Sequence, residues 1–518
     1  MNLRRLIFER LLFIPLVAFS CAEKKDQNFD SFEKFAGNLV MQPTDLCDRD
    51  CINLKKEFRY VVYTGEKIYC YWNEKQEKYK IDFKQLANQF EEQITSKTSQ
   101  KEYFNLLVKW AGVFHDGHVN AMMRADYSEL KFFSIDVRFE VLAPGTDHEK
   151  LIISRAGSAL TNLRVGTVVS RIQGKDWKDY MNDAEKFTSG STLQMRRRQA
   201  GNSIPAVLFE TEGIKPIKVE GQYNGKDVSE IVPRVLALYD GSKDPDDSSA
   251  TGIDSIKSSV LENNIGYLRI DEFGGTQMAK LLSQAMDALS DTSGLIIDLR
   301  KNGGGDNSGN AVLARLINST IFRYHQRVRN SEMLNALRPY NLIDYDFSEG
   351  EFSEMKERKI APAEEKLRYK NPVLVLTSAY CFSACDTFVS SFKENKLGQI
   401  MGEPTGGGTG QPQHIELPYS DHSFRYSVAQ GYTAVGKKQI EGEGTQPDIL
   451  LEPTVEERAL GKDLQLVKAV QYFANNFDKT GTNSKVIALP ENLLNVKTEQ
   501  IKKPFEIERD REIRKSKD

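Results

Sequence analysis

Val373-Leu-Val-Leu-Thr377, followed by Ser378-Ala-Tyr-Cys-Phe-Ser383-Ala-Cys-Asp386, is the stretch from which the rest of the chain is read. The apolar run predicts a buried strand, the small and polar residues after it a tight turn, and Phe388, Val389 and Phe392 a helix. Ser383 then falls at a helix start. Free backbone N–H groups and the positive end of the macrodipole favour a negative charge forming beside it. The plainer role for a serine in that position is to cap the helix.

Working outward, Ile265 to Ile270 and Leu295 to Leu299 read as further buried strands, with a helix from Gln277 to Leu289 between them. Strands alternating with helices predict an α/β core with a parallel sheet and crossover connections. Leu295-Ile-Ile-Asp-Leu-Arg300-Lys-Asn302 runs into Gly303-Gly304-Gly305, where the backbone can approach a ligand closely and present N–H groups. A phosphate-cradling loop is the rival reading. It lacks the Lys-Ser or Lys-Thr that should follow the glycines, and the GxGxxG spacing is absent.

Upstream of this core, the stretch from Phe83 to Met123 has apolar residues at three- and four-residue steps, among them Leu86, Phe90, Tyr103, Leu106, Trp110 and Phe114. That predicts a helical subdomain ending at His115-Asp116-Gly117-His118. From Lys131 to about Val235, short apolar runs broken by glycine and aspartate predict strands. Asp240 to Ser259 is polar and reads as a linker, and 497–518 is a dense mixed-charge tail. At the other end, Arg4, Arg5 and Arg10 precede a short apolar run that closes on Val17-Ala18-Phe19-Ser20-Cys21. The run is too short to span a bilayer, and it reads as an export signal with a lipobox, so Cys21 becomes the lipidated first residue. The resulting organisation is 1–21 signal and lipidated cysteine, 22–130 helical subdomain, 131–235 β-rich domain, 236–262 linker, 263–476 core and 477–518 tail.

Of the 518 residues, 40% are hydrophobic and 28% charged, with a net charge of -3. That describes a globular body with no electrostatic footprint for nucleic acid. Export to an oxidising compartment permits disulfides. Cys47, Cys51 and Cys70 are close enough for one local bridge, and no Cys/His set suggests zinc. Cys381 and Cys385 straddle Ser383, and buried free thiols are expected there. Neither a metal nor an organic cofactor is expected.

Four ordered segments together carry a resemblance: Asp298-Leu-Arg300-Lys-Asn302-Gly-Gly304, Phe382-Ser383-Ala384, Gly402-Glu-Pro-Thr405-Gly406-Gly407, and Glu441-Gly-Glu-Gly444-Thr-Gln-Pro447-Asp448. They resemble the motif series of the C-terminal processing (tail-specific) serine peptidases, over roughly Ile265 to Pro453. The resemblance implies a crotonase-like (ClpP/crotonase) β-β-α core with Ser383 attacking a peptide carbonyl. Leu163 to Val169, followed by Ile172-Gln-Gly-Lys175, loosely resembles a PDZ pattern of strand, turn and helix, with another small β-rich module as the alternative.

The chain departs from that family where a general-base lysine should follow the Thr-x-Gly step, because Thr405-Gly-Gly-Gly-Thr409-Gly410 contains none. Ser390-Ser-Phe-Lys393 is an SxxK string inside a helix and reads as a chance match. Asp116-Gly117-His118 is instead similar to an element of the tricorn-like branch, where histidine replaces the lysine. That implies His118 as base, with His115 the runner-up, and Glu441 (or Glu443) orienting or charge-stabilising the relay. The oxyanion donors implied are the amides of Ala384 and of Gly303 or Gly304. The expected function is a serine-type endopeptidase acting on exported polypeptides, lipid-anchored in the bacterial cell envelope. The alternative is a non-catalytic lipoprotein that binds a peptide or apolar ligand on the same fold. An α/β-hydrolase is excluded because Phe382-Ser383-Ala384 lacks both glycines of the GxSxG elbow.

Overall fold

The central sheet of the computed structural model has the strand order Ile256–Leu261, Ile265–Ile270, Gly294–Asp298, Val373–Thr377, Gln399–Gly402, Ile449–Leu450. The first pair is antiparallel and every later pair parallel. Alternate residues bury opposite faces. Leu268, Ile270, Leu295, Ile297 and Val375 pack with Leu282, Val312, Phe388 and Phe392, while Tyr267, Ile296, Leu374 and Leu376 pack with Ala469, Val470 and Phe473 of helix Leu464–Asn476. Burial on both faces is why these strands read as continuous apolar runs. The structure describes residues 47–123, 131–238, 255–275, 277–337 and 350–476, with scattered positions between 32 and 44. The signal segment with Cys21, most of the linker and the charged tail lie outside the described residues.

The helix expected between the first two core strands is Met278–Ala288, and the strand before Ser383 is Val373–Thr377. Ile256–Leu261 lies in the stretch read as linker but forms an edge strand. Its own pattern is weak. The pairing is imposed by a tight connection through Asn263 and Asn264, both with positive φ (58° and 56°), that turns the chain back onto Ile265–Ile270. At the carboxyl ends of the parallel strands, three loops converge: Gly303–Gly305, the Ser383 turn and the loop after Gly402. That edge is where an open parallel sheet places its ligands.

In the middle of the chain, an antiparallel sheet runs in the order Val137–Leu142, Lys150–Ala156, Val168–Ile172, Ile217–Tyr223, Lys226–Val232. Helices Trp177–Glu185 and Leu193–Glu212 cover it, with Met181, Ile204 and Leu208 against Val141, Ile153 and Val219. The strand expected from Leu163 begins only at Val168. Gly166 causes the shift: its φ is +88°, and a Cβ there would come within 2.4 Å of the Ala459 Cβ, so the chain turns at this point. Lys131–Ile135 pairs with Arg234–Leu238, which brings the entrance and exit of this segment together.

The N-terminal helices are Arg49–Ile68, Trp72–Tyr79, Phe83–Glu92 and Gln100–Gly112. Asp48, Asp82 and Ser99 cap three of them, Ser99 in a capping box with Glu102. Their core is not private. Phe58, Tyr69, Trp110 and Phe114 share one cluster with Ile415, Phe424 and Tyr426 from far along the chain. Strand Asn120–Met122 pairs with Ser423–Ser427, which in turn pairs with Pro412–Glu416.

Cys47 and Cys51 form a disulfide, and Cys70 is buried and unbonded. Cys381 and Cys385, expected as free thiols, are also bonded to each other. The turn and first helical residues bring their Cα atoms to 5.3 Å, well inside bridging range, so closing the bond needs no displacement of Ser383.

Candidate active site

Ser383 is the N-cap of helix Ala384–Glu394 and has φ +60° and ψ −116°. Such a conformation costs a non-glycine residue about 1–3 kcal/mol and persists only where its surroundings enforce it. The enforcement is visible. Its amide donates to Asp386 Oδ2 at 3.1 Å, and the Gly407 and Gly408 amides donate to the same carboxylate at 3.1 and 2.9 Å. One buried carboxyl thus ties the serine to the glycine loop after Thr405. Burial pushes it up to about 7, against the hydrogen bonds from those amides.

His118 Nε2 lies 2.9 Å from Ser383 Oγ. For the hydroxyl to donate, Nε2 must be bare and the ring proton must sit on Nδ1. Nδ1 faces Asp116 Oδ1 at 3.9 Å, too far for a hydrogen bond. Asp116 acts instead on the backbone and on a neighbour: Oδ1 accepts the His118 amide at 2.8 Å, and Oδ2 accepts the Ser427 hydroxyl at 2.8 Å. Burial lowers the imidazole to about 4, partly opposed by Asp116 and assisted by Arg425, so the ring is neutral at pH 7. Phe382 packs on it at a tilt of 33°, with centroids 4.5 Å apart. That phenyl sits in a cradle of Gly117, Gly406 and Gly408, where a Cβ would come within 2.5, 3.0 and 2.0 Å of its ring.

Glu441 is buried but does not reach His118. Its carboxylate bonds Lys75 Nζ at 2.8 Å. Burial and the nearby Asp116 charge raise the Glu441 carboxyl, and Lys75 opposes them. Glu443, the other candidate, is an exposed partner of Lys78 at 3.6 Å. The His115 ring packs on Tyr79, and its carbonyl accepts Lys75 Nζ at 2.7 Å. Lys393 of the SxxK string pairs with Asp448 at 3.1 Å.

Of the three glycines, Gly304 has its amide committed to Asn302 Oδ1 at 2.9 Å. Its part is steric: φ is +107°, and a Cβ would come within 2.7 Å of both Phe382 O and Ser383 Cβ. Gly303 stands open on its Cβ side. Among the described residues, no group of three or more His, Cys, Asp or Glu could hold a metal ion.

Reading the sequence did not single out Lys75, Asp386 or Ser427, and it assigned no part to Asp116. Asp116 stood inside a quoted motif and could have been found there. Ser191, whose hydroxyl accepts the Gly117 amide at 3.0 Å, carried no signal.

Residues 264–451 match the model of Peptidase family S41. A carboxy-terminal-processing protease of Bartonella bacilliformis is 26% identical over 214 residues, which is 40% of this chain and 43% of that protein. A tricorn protease of Thermoplasma volcanium is 23% identical to this chain over 222 residues, covering 42% of it and 18% of the relative. The chain therefore spans less than half the length of either curated relative. The crystal structure of mature CPAF superposes with a TM-score of 0.62 at 15% identity, covering 84% of this chain and 99% of that one, so the two share a mixed α/β fold. His118 lies outside the segment that matches the family.

Proposed function

We propose that this chain is a serine endopeptidase that works through an acyl-enzyme on Ser383. The observation carrying the reading is the 2.9 Å hydrogen bond between a neutral, buried imidazole and a hydroxyl on a constrained turn. Ser383 Oγ attacks the scissile carbonyl carbon while its proton passes to His118 Nε2. The carbonyl oxygen becomes an oxyanion held by the Gly303 and Ala384 amides. Collapse breaks the C–N bond, and His118 returns the proton to the departing amine. Water then attacks the acyl ester, His118 takes its proton and gives it back to Ser383, and a carboxylate product leaves.

The core sheet and its helices support a crotonase-like reading of 263–476. The antiparallel sheet of 131–235 supports a PDZ-like one, whose edge strands Val137–Leu142 and Lys226–Val232 could receive a substrate tail by strand addition. The substrate class proposed is unfolded termini of exported polypeptides. We read 1–21 as the signal that leaves Cys21 lipidated in the cell envelope; a clickable fatty acid should label the wild type in cells but not Cys21→Ala, and equal labelling of both would reject this.

A fluorophosphonate probe decides the main reading. It should label the wild type stoichiometrically and leave Ser383→Ala unlabelled. A folded wild-type protein that ignores the probe, or a Ser383→Ala protein that still takes it, would return the chain to the binding-protein class.

A further inference from the structure

We propose that Lys75 is a positioning residue for the reaction, closing a hydrogen-bonded circuit that fixes His118 and Ser383 relative to each other. The inference rests on the serine-peptidase reading and adds a residue to it.

Lys75 is 4% exposed and belongs to helix Trp72–Tyr79, in the N-terminal part of the chain. A buried ammonium needs several acceptors to offset its lost hydration. It has two. Nζ donates to His115 O at 2.7 Å and to Glu441 Oε1 at 2.8 Å. The first acceptor lies three residues before His118, on a non-glycine residue with φ +47°. The second belongs to the last of the four ordered segments.

From Glu441 the circuit continues through backbone and side chain. The Gly442 amide donates to Gly407 O at 2.8 Å, the Gly407 amide donates to Asp386 Oδ1, and Asp386 Oδ2 holds the Ser383 amide. On the other side, the chain from His115 reaches His118 through Asp116, whose carboxylate accepts the His118 amide. Without Lys75 the left-handed His115 carbonyl and the buried Glu441 carboxylate both lose their cation, and the turn carrying the base loses one of its ties to the loop carrying the nucleophile. Lys75 touches neither reacting atom, so its effect must appear in the rate of proton transfer rather than in substrate affinity.

The test compares wild type, Lys75→Met, Glu441→Gln and the Lys75→Met/Glu441→Gln double variant, each in the full chain. The readouts are fluorophosphonate inactivation, resolved into a maximal rate and a half-saturating concentration, and the thermal midpoint. Lys75→Met should lower the maximal rate about tenfold to a hundredfold with little change in half-saturation, as expected for a small misplacement of reacting groups. The double variant removes both buried charges, so its thermal midpoint should recover relative to Lys75→Met while its maximal rate stays low. If Lys75 is only the counter-ion of Glu441, the double variant will recover the wild-type rate together with its stability, and the proposal fails. Should Lys75→Met not fold, the double variant alone decides between these outcomes. A wild type that never reacts with the probe overturns the peptidase reading itself, an outcome separate from variants that react at the wild-type rate.

Discussion

His118 Nε2 and Ser383 Oγ stand 2.9 Å apart although 265 positions separate them in the chain. Two pairings bring them together. Strand Asn120–Met122, just after His118, adds to Ser423–Ser427, while Val373–Thr377, the parallel-sheet strand paired to Gly294–Asp298, leads into the Ser383 turn.

Removing the imidazole should therefore cost catalysis. His118→Ala is expected to slow fluorophosphonate acylation of Ser383 by about 10²–10⁴-fold, the range for a general base. Stopped-flow or gel-based labelling rates measure it, and a change below threefold would mean that another group takes the proton.

The pH profile should be displaced to the acid side. With His118 lowered to about 4, kcat/KM should hold down to roughly pH 5 and fall with a midpoint near 4, not near 6.5. Stability moves with the same group. Between about 6.5 and 4 the unfolded chain takes up a proton that the folded one refuses, so stability falls as pH drops through that window. Asp386 acts in the opposite sense: its folded carboxyl, raised from 3.8 to about 7, keeps a proton that the unfolded chain releases, so its contribution is lost as pH rises towards 7. Denaturant titrations of wild type and Asp386→Asn across pH 4 to 8 separate the two slopes.

Gly304→Ala tests the steric part of the glycine run. The added methyl would meet Phe382 O and Ser383 Cβ at 2.7 Å from a backbone with φ +107°. The serine turn must shift, and labelling should drop by about a hundredfold for a displacement of 1 Å. Gly303→Ala meets nothing within 4 Å and should keep much more of the reactivity.

Replacing Cys381 and Cys385 together by serine removes a short covalent ring around the nucleophile. Loop-closure entropy for so short a ring predicts a loss of roughly 2 kcal/mol, read by urea denaturation. Acylation should slow as well, because the positive-φ conformation of Ser383 loses one of its constraints. An unchanged labelling rate would show that Asp386 holds the turn unaided.

The strands of the core and the serine turn were legible because each is written in contiguous residues whose burial is uniform. Ile256–Leu261 was not, since an edge strand half exposed to solvent has little pattern and its pairing depends on the Asn263-Asn264 connection. The Cys381–Cys385 bond runs against the expectation of buried free thiols, because four-residue spacing into a helix start brings the Cα atoms within reach. Glu441 could be found from its motif, but its partner could not. Lys75 sits in Trp72-Asn-Glu-Lys-Gln-Glu-Lys-Tyr79, a helix so charged that nothing local distinguishes the buried lysine from the exposed Lys78.

The aromatic cluster that joins Trp110 and Phe114 to Phe424 and Tyr426 means that residues 264–451 share part of their apolar core with the N-terminal helices. Expressed alone, that segment would bare the apolar side of the hairpin Pro412–Ser427 to water and would aggregate before it could be assayed. Dissection or grafting of this protein has to carry the first helices along with the sheet, because they are at once its lining and the source of its imidazole.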